Sequence, residues 1–368
     1  MNNLPAGSYP TEAFQIAQAS TTADRQAYFE PHPHRNYVMQ WNLNVQRTLP
    51  LGFQMQLGYV GSRGVHNIFR VTDADIVLPT LTPRGYLWPS PAGSGTRVNP
   101  NAGAINASFW EGDSYYEALV LQVQSPVGHR FQATGSYTFG KSIDTSSGSI
   151  GGGEYSNALS NPLWFDTRLT RGLSDFNIAQ DLKVIYTWRL PSPRLASEWL
   201  YWPLSGWQVG GVFEASSGLP FTPGFGGDPL GVSATDPNID VPNVLSGPGC
   251  GSLVNPGNPN QYIRTECLAA PHPLTLRGNL GRNALIGPGL MNLDFSLFKN
   301  NTVKFVSESV HLQFRAEIFN IFNRANFNPP IYFKNVFDSH GNPIPSGGLI
   351  DKTQNPSRQI QFALRISF

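Results

Sequence analysis

Apolar and polar residues alternate along the stretch 357–368. Ile360, Phe362, Leu364 and Ile366 are each followed by a polar or small residue, and Phe368 comes last. Because successive side chains of a strand point to opposite faces, this pattern predicts a strand with one apolar and one polar face. Such a strand packs its apolar face on a second sheet in a soluble sandwich, or turns it to lipid in a membrane barrel.

Eight further segments alternate in the same way, with Gln, Asn, Thr and Arg at the polar positions. They predict strands at 39–48, 52–61, 115–124, 130–140, 180–190, 206–217, 291–299 and 307–321. The connections between them alternate in length, and the long ones are 62–114, 141–179, 218–290 and 322–356.

Outer-membrane barrels have short periplasmic turns and long extracellular loops, whereas a sandwich has no reason to gather its long loops at one end. The predicted fold class is therefore all-β: an antiparallel transmembrane β-barrel, partial, of about nine strands.

The strand count predicts that further strands belong to this barrel. If Phe368 lies at the periplasmic side, the strand near Trp41 descends, although the chain of a barrel usually enters from the periplasm. Single-chain bacterial barrels have an even number of strands, and an open edge leaves backbone groups unpaired in hydrocarbon. We therefore expect 39–368 to be the C-terminal part of a larger barrel and 1–38 to be an extracellular loop remnant.

Composition agrees with strands and turns. Charged residues make up 13% of the chain, about half the usual share of roughly 25%, and there are 31 Pro and 37 Gly. The net charge of +1 gives no electrostatic footprint for nucleic acid. The N-terminal Met1–Gly7 lacks the basic and apolar regions of a signal peptide.

The carboxylates Asp73, Asp75, Glu111 and Asp113 fall in the predicted loop 62–114, where we expect solvated charges. His32 and His34 flank a proline without a carboxylate or cysteine cluster, which favours solvated histidines over a metal site. No spacing in the sequence is typical of a nucleophile with its base, or of a set of metal ligands. We assign no catalytic residue, metal or cofactor, and expect that the protein is not an enzyme.

Four charged residues fall on the polar positions of predicted strands. Asp294, Arg315, Glu317 and Arg365 would face the barrel lumen. There they would line a ligand path or contact a plug, or else form cross-strand ion pairs in water.

The two cysteines, Cys250 and Cys267, share one Pro/Gly-rich segment. This favours a disulfide within an extracellular loop over two free thiols. Closing a loop of this length contributes roughly 3 kcal/mol by chain-entropy arguments.

Several segments together resemble the C-terminal barrel of the Oar-like TonB-dependent receptor family of acidobacterial type. Their order and spacing match along nearly all of 37–368. They are Tyr37–Pro50, Gly58–His66, Ser136–Asp144, Leu173–Phe176, Gly206–Pro223, Leu280–Lys299, Leu312–Phe327 and the closing strand to Phe368.

The resemblance implies a receptor of the bacterial outer membrane that takes up an unidentified ligand with energy from TonB. Its partners would be outer-membrane lipid, the barrel-insertion machinery, which would read Phe368 as an insertion signal, and TonB. TonB would act through an N-terminal plug that the sequence lacks. The alternatives are a secreted all-β adhesin or carbohydrate-binding protein and, more distantly, an outer-membrane enzyme.

Overall fold

The computed structural model describes residues 25–126, 128, 130–148, 163–193, 198–233, 240–271, 275–302 and 310–368. Nine long strands form one antiparallel sheet in which each strand pairs with its neighbours along the chain. They are β2 (Tyr37–Thr48), β3 (Gln54–Val71), β6 (Ile105–Gln124), β7 (Phe131–Asp144), β9 (Gln180–Arg189), β10 (Trp207–Ser216), β16 (Leu290–Thr302), β17 (His311–Phe319) and β19 (Gln359–Ser367). The predicted all-β antiparallel fold is confirmed.

The strand register joins the alternating patterns into two continuous faces. In one row, Leu297 of β16 lies opposite Ala316 of β17, which lies opposite Phe362 of β19. In the next row, Ser296 lies opposite Glu317, which lies opposite Gln361. We call the first side the apolar face and the second the polar face.

The apolar face is not covered by a second layer within the described part of the chain. Phe362 is 68% exposed and Leu364 64% exposed. This excludes the sandwich, in which these side chains would pack against a second sheet.

The sheet is open. Among the described residues, β2 pairs only with β3 and β19 pairs only with β17, so each presents one edge. Every residue of these two strands is exposed. An unpaired edge is costly in hydrocarbon, which agrees with a partial barrel.

Short and long connections leave opposite ends of the sheet. At the turn end, β2–β3 and β6–β7 are joined by short turns, and β9–β10 by a segment that contains α1 (Glu198–Leu204). At the loop end lie the long connections 72–104, 145–179, 217–289 and 320–358. This alternation is the predicted one. The part of the predicted strand 307–321 before residue 310 lies outside the described residues.

Two strands extend furthest beyond their predicted bounds. β3 continues to Val71 and β6 begins at Ile105, so that Glu111 and Asp113 belong to a strand and not to a loop. The register shifts between Val65 and Phe69, which breaks the alternation in the sequence.

Residues Gln26–Phe29 form β1, which pairs in parallel with β6. The first 24 residues of the predicted remnant 1–38 lie outside the described residues.

The long connections contain the hydrophobic core, and we call them together the loop cap. One cluster joins Phe221, Phe225 and Ile263 of connection 217–289 to Val336 and Phe337 of 320–358. A second joins Ile76 and Trp88 of the first connection to Leu163 of the second and Val232 of the third. The sequence predicts irregular loops here, but the described parts of these connections pack into two buried clusters at the loop end.

Short elements complete the chain. The strands are β4 (Thr80–Thr82), β5 (Gly85–Leu87), β8 (Gly172–Leu173), β11 (Pro220–Phe221), β12 (Gly224–Phe225), β13 (Asn243–Val244), β14 (Leu268–Ala269), β15 (Leu285–Ile286) and β18 (Asn335–Phe337). The 3-10 turns are Pro50–Gly52, Thr167–Thr170, Pro259–Gln261 and Thr265–Cys267. Over the described ranges, the longest helices fall short of the length and apolarity needed to cross a membrane.

Candidate functional site

The four charged residues singled out in the sequence all lie on the polar face. Glu317 faces Ser296 and Gln361, and Arg365 faces Gln313, across neighbouring strands. The Arg315 guanidinium lies 5.1 Å from the centre of the Phe298 ring. The Asp294 carboxylate accepts hydrogen bonds from the Asn292 side chain at 2.9 Å and from the Asn320 backbone at 2.8 Å.

Charge on this face is separated along the strands. The acids Asp181, Glu214, Asp294 and Glu317 lie in the half nearer the loop end, together with Lys183. The half nearer the turn end carries Arg189, Arg315, Arg365 and His311.

Between neighbouring strands of the polar face, one weak ion pair forms among the described residues, between Lys183 and Glu214 at 3.9 Å. The four predicted residues therefore do not pair with one another.

A cavity of about 330 Å³ lies at the turn end of the sheet, at the ends of β16, β17 and β19. Its polar lining consists of amide, hydroxyl, imidazole and guanidinium groups, from Asn300, Asn301, Thr302, His311, Gln313, Arg365 and Ser367. Because this lining offers hydrogen-bond donors and a cation, the chemistry of the cavity suits an anionic or polar group.

A buried arginine ties the loop cap to the sheet. The Arg282 guanidinium donates to Asp144 at 2.6 Å and to Asp175 at 2.7 Å, and all three side chains are at least 95% buried. Asn283 donates to the same oxygen of Asp175 at 2.6 Å. Two carboxylates and a guanidinium thereby form charge-assisted hydrogen bonds in buried surroundings. These contacts link connection 217–289 to the end of β7.

The carboxylates at the start of the first connection correct the prediction of solvated charges, because Asp73 and Asp75 are fully buried. Asp73 accepts hydrogen bonds from the backbone of Asp75 and Ile105, and from the Ser233 hydroxyl at 2.9 Å. Asp75 forms an ion pair with Arg97 at 3.3 Å. These two carboxylates organise the cap, and their most distant partner lies 160 residues away in the sequence.

Asp240 is a further buried carboxylate of the cap. Its Oδ1 accepts hydrogen bonds from the backbone of Val241 at 2.8 Å and of Gly278 at 3.1 Å. Burial raises the pKa of Asp240 to about 6, and the two hydrogen bonds and the charge of Arg277 oppose this rise.

Cys250 and Cys267 form a disulfide in connection 217–289, with their Cα atoms 5.4 Å apart. Cys267 is buried, beside Leu268 of the larger hydrophobic cluster. The bridge thus joins a surface turn to the packed part of the cap.

His32 and His34 are exposed, and the His34 ring stacks on His66 at 4.8 Å between centres. Within the described ranges, His, Cys, Asp and Glu residues form no group of three or more that could hold a metal ion.

Comparisons with known proteins bear on this geometry. Residues 1–361 match the family described as outer membrane beta barrel domain. No curated protein matches the sequence.

Similar solved structures include two outer-membrane proteins. The outer membrane transporter YddB from Escherichia coli is 10% identical with a TM-score of 0.47, over 95% of this chain and 34% of that one. FpvAI in its complex with pyocin S2 is 8% identical with a TM-score of 0.37, over 90% of this chain and 28% of that one. This chain thus spans about a third of the length of each.

The family match covers almost the whole sequence, and the apolar face of the sheet is what a lipid-facing barrel wall requires. The chain therefore belongs to the outer membrane beta barrel domain family, and it is a protein of the bacterial outer membrane.

Proposed function

We propose that this chain forms part of the barrel wall of a TonB-dependent receptor, of the Oar-like acidobacterial type, that takes up a ligand across the outer membrane. The supporting observation is the strand register, which places mainly apolar side chains on one face of the sheet and mainly polar side chains on the other. A wall of this kind separates lipid from an aqueous lumen. The sequence resemblance supplies the finer assignment to the TonB-dependent type.

In this proposal 39–368 is the C-terminal part of the barrel, and the loop cap lies on the extracellular side. The open edges of β2 and β19 would pair with further strands, because unpaired backbone groups are unfavourable in lipid. TonB would act through an N-terminal plug.

The polar face would then line the lumen. Asp294 and Glu317 would meet the ligand or plug in the half nearer the loop cap, and Arg315 and Arg365 in the half nearer the turns. The lack of ion pairs among these four described residues supports this role, because each charge is free to attract a charged group that enters the lumen.

Uptake by the native cells tests the proposal. We would compare the parent strain with a strain lacking the gene, measuring by mass spectrometry which small solutes disappear from the medium. Expression of the native gene should restore depletion of the same solute, and a protonophore should abolish it, because uptake of this type depends on TonB. Equal depletion by both strains, or depletion that a protonophore leaves intact, would refute the proposal.

A double variant tests the lumen assignment in the same assay. Arg315→Gln with Arg365→Gln should reduce uptake without changing the amount of protein in the outer membrane. Arg168→Gln is the matched control, because this arginine is an exposed residue of the cap whose side chain is 84% accessible.

A further inference from the structure

We propose that α1 (Glu198–Leu204) is an interfacial anchor that binds the phospholipid headgroup region at the turn end of the apolar face. Such a contact does not depend on uptake. The surface of α1 would contact the bilayer directly.

The geometry of the chain holds α1 against the sheet. The Ser205 backbone donates to the Tyr201 carbonyl at 2.9 Å, and Gly206 follows with φ at +74°. A Cβ atom at Gly206 would collide with the carbonyl of Asn300, so glycine is required for this close turn. The Asn300 backbone also donates to the Gly206 carbonyl at 2.9 Å. The end of the helix is thus fixed to β16.

Lys299 shows on which side of the sheet the helix lies. In the register, Lys299 is flanked by Trp207 and Phe314, which belong to the apolar face. Its ammonium group lies 4.8 Å from the centre of the Trp202 ring and 5.1 Å from that of Trp207. The helix therefore covers a cation on the face that the barrel turns to lipid.

The ammonium group of Lys299 is fully engaged. It donates to the carbonyls of Trp202 at 2.7 Å and Ser205 at 3.0 Å, and to the Asn301 side chain at 2.7 Å. An ammonium has three N–H donors, so none is left for a lipid phosphate. The contact with two indole rings further stabilises the charge in apolar surroundings. Lys299 thus fixes the helix to the sheet and does not bind a lipid headgroup.

The outer side of the helix segment is aromatic and apolar. Tyr201 is 44% exposed, Trp202 42% and Leu204 53%. Trp188 and Phe131, which are cross-strand partners at the same end of the apolar face, are each 45% exposed. Tyr and Trp are favoured at the membrane–water interface because they combine a large apolar ring with a polar group. The surface is continuous with the lipid-facing wall, and phospholipid is the partner that fits it.

Depth-dependent quenching in vesicles tests this proposal. The full chain would carry Tyr201→Cys, labelled with an environment-sensitive fluorophore while the native disulfide stays oxidised. It would be extracted from outer membranes and reconstituted into phosphatidylcholine vesicles. Nitroxide groups on the lipid, either near the headgroup or deep in the acyl chain, are the quenchers. We expect the shallow nitroxide to quench this label more than the deep one. The same label at Ser346→Cys, an exposed cap position, should not be quenched.

Two further arms distinguish contact with lipid from contact with protein or water. Lys299→Met should abolish the preference for the shallow quencher, whereas Lys183→Met on the polar face should preserve it. Phosphatidylglycerol in place of phosphatidylcholine should change nothing, because the Lys299 ammonium has no donor left for an anionic headgroup.

A label at position 201 that is quenched as little as the label at 346 would overturn the proposal, because water or protein would then cover the helix. A requirement for anionic lipid would overturn it as well. If the Lys299→Met variant does not reconstitute, the difference in quenching between the labels at positions 201 and 346 tests the proposal by itself.

Discussion

Single residues of the loop cap carry its strongest electrostatic contacts, and Arg282 is the clearest case. Arg282→Ala removes the buried guanidinium from Asp144 and Asp175, and hydrogen bonds such as that from Asn283 to Asp175 do not replace its charge. Removing one member of a buried ionic network costs about 3–5 kcal/mol. We expect hydrogen exchange to show loss of protection in cap peptides on both sides of the contact, with the sheet unchanged.

Arg168 provides the matched control. It also forms a short ion pair, with Asp166 at 2.8 Å, but its side chain is 84% accessible. Because water screens an exposed pair, Arg168→Ala should leave exchange in the cap nearly unchanged. Equal losses of protection in the two variants would contradict the role assigned to burial.

Asp240 should make the stability of the cap depend on pH. Burial raises its pKa from 3.8 to about 6, so the folded cap binds this proton more tightly than the unfolded chain does. Stability from this group is fully present at acidic pH, below the unfolded pKa of 3.8, and is lost as the pH rises through about 6. The effect is on the order of 3 kcal/mol at most.

Asp240→Asn should remove this dependence. The amide stays neutral, and its oxygen can still accept the hydrogen bonds from Val241 and Gly278. We expect the variant to unfold at a higher temperature than the parent at neutral pH, and at a similar temperature in acid, where the parent carboxyl is protonated. A parent cap whose melting temperature is the same at both pH values would rule this out.

Single-residue roles in the cap were the least predictable part of the molecule from its sequence. Asp73 and Asp75 look like loop charges because Ser233 and Arg97, which explain their burial, lie elsewhere in the chain. Phe337 falls in a predicted loop but is 96% buried in the larger cluster of the cap. Tertiary packing determines these interaction partners, and a local sequence pattern does not predict them.

At the scale of whole strands, we expect a new charge to have opposite effects at neighbouring positions, because these lie on opposite faces of the sheet. Leu297→Arg puts a charge on the apolar face of β16, at a cost of about 2–4 kcal/mol near the bilayer midplane. Ser296→Arg puts the same charge on the polar face, where water accommodates it. We expect the first variant to be depleted from the outer membrane and the second to insert normally, as measured by immunoblots of membrane fractions.

β19 carries the proposed insertion signal. Phe368 follows this strand at the turn end and is 93% exposed. An aromatic ring is stabilised at the interface, so we expect deletion of Phe368 to lower the yield of protein in the outer membrane. Phe322→Ala is the suitable control, because Phe322 is 72% exposed at the loop end, whereas Phe337 belongs to the core of the cap. Equal yields in the Phe368 deletion and the control would refute the signal role.

The strands were largely predictable because alternation is a local property. It predicted the nine long strands and the order of short and long connections. It failed where β3 and β6 extend to Val71 and Ile105, since the register shift between Val65 and Phe69 disrupts the period of two. For the connection from β9 to β10, the sequence predicted a turn of moderate length but not the helix α1 within it.

For the molecule as a whole, the segregation of connections predicts its orientation in the membrane. We expect a cysteine at Ser346 in the loop cap to react with a membrane-impermeant maleimide on intact cells. A cysteine at Gln54, next to the β2–β3 turn, should react only after the outer membrane is permeabilised. The reverse pattern would invert the assignment of extracellular and periplasmic ends.

The packing of the loop cap also has a consequence for the order of assembly. The Arg282–Asp144 and Asp73–Ser233 contacts span 138 and 160 residues, so each requires several strands to be aligned first. Contacts of such long range form slowly, because the intervening chain must lose its freedom before they are gained. The disulfide, by contrast, spans only 17 positions and can close early. The cap should therefore mature after the sheet, and nascent protein should pass through a stage with a formed wall and protease-sensitive loops.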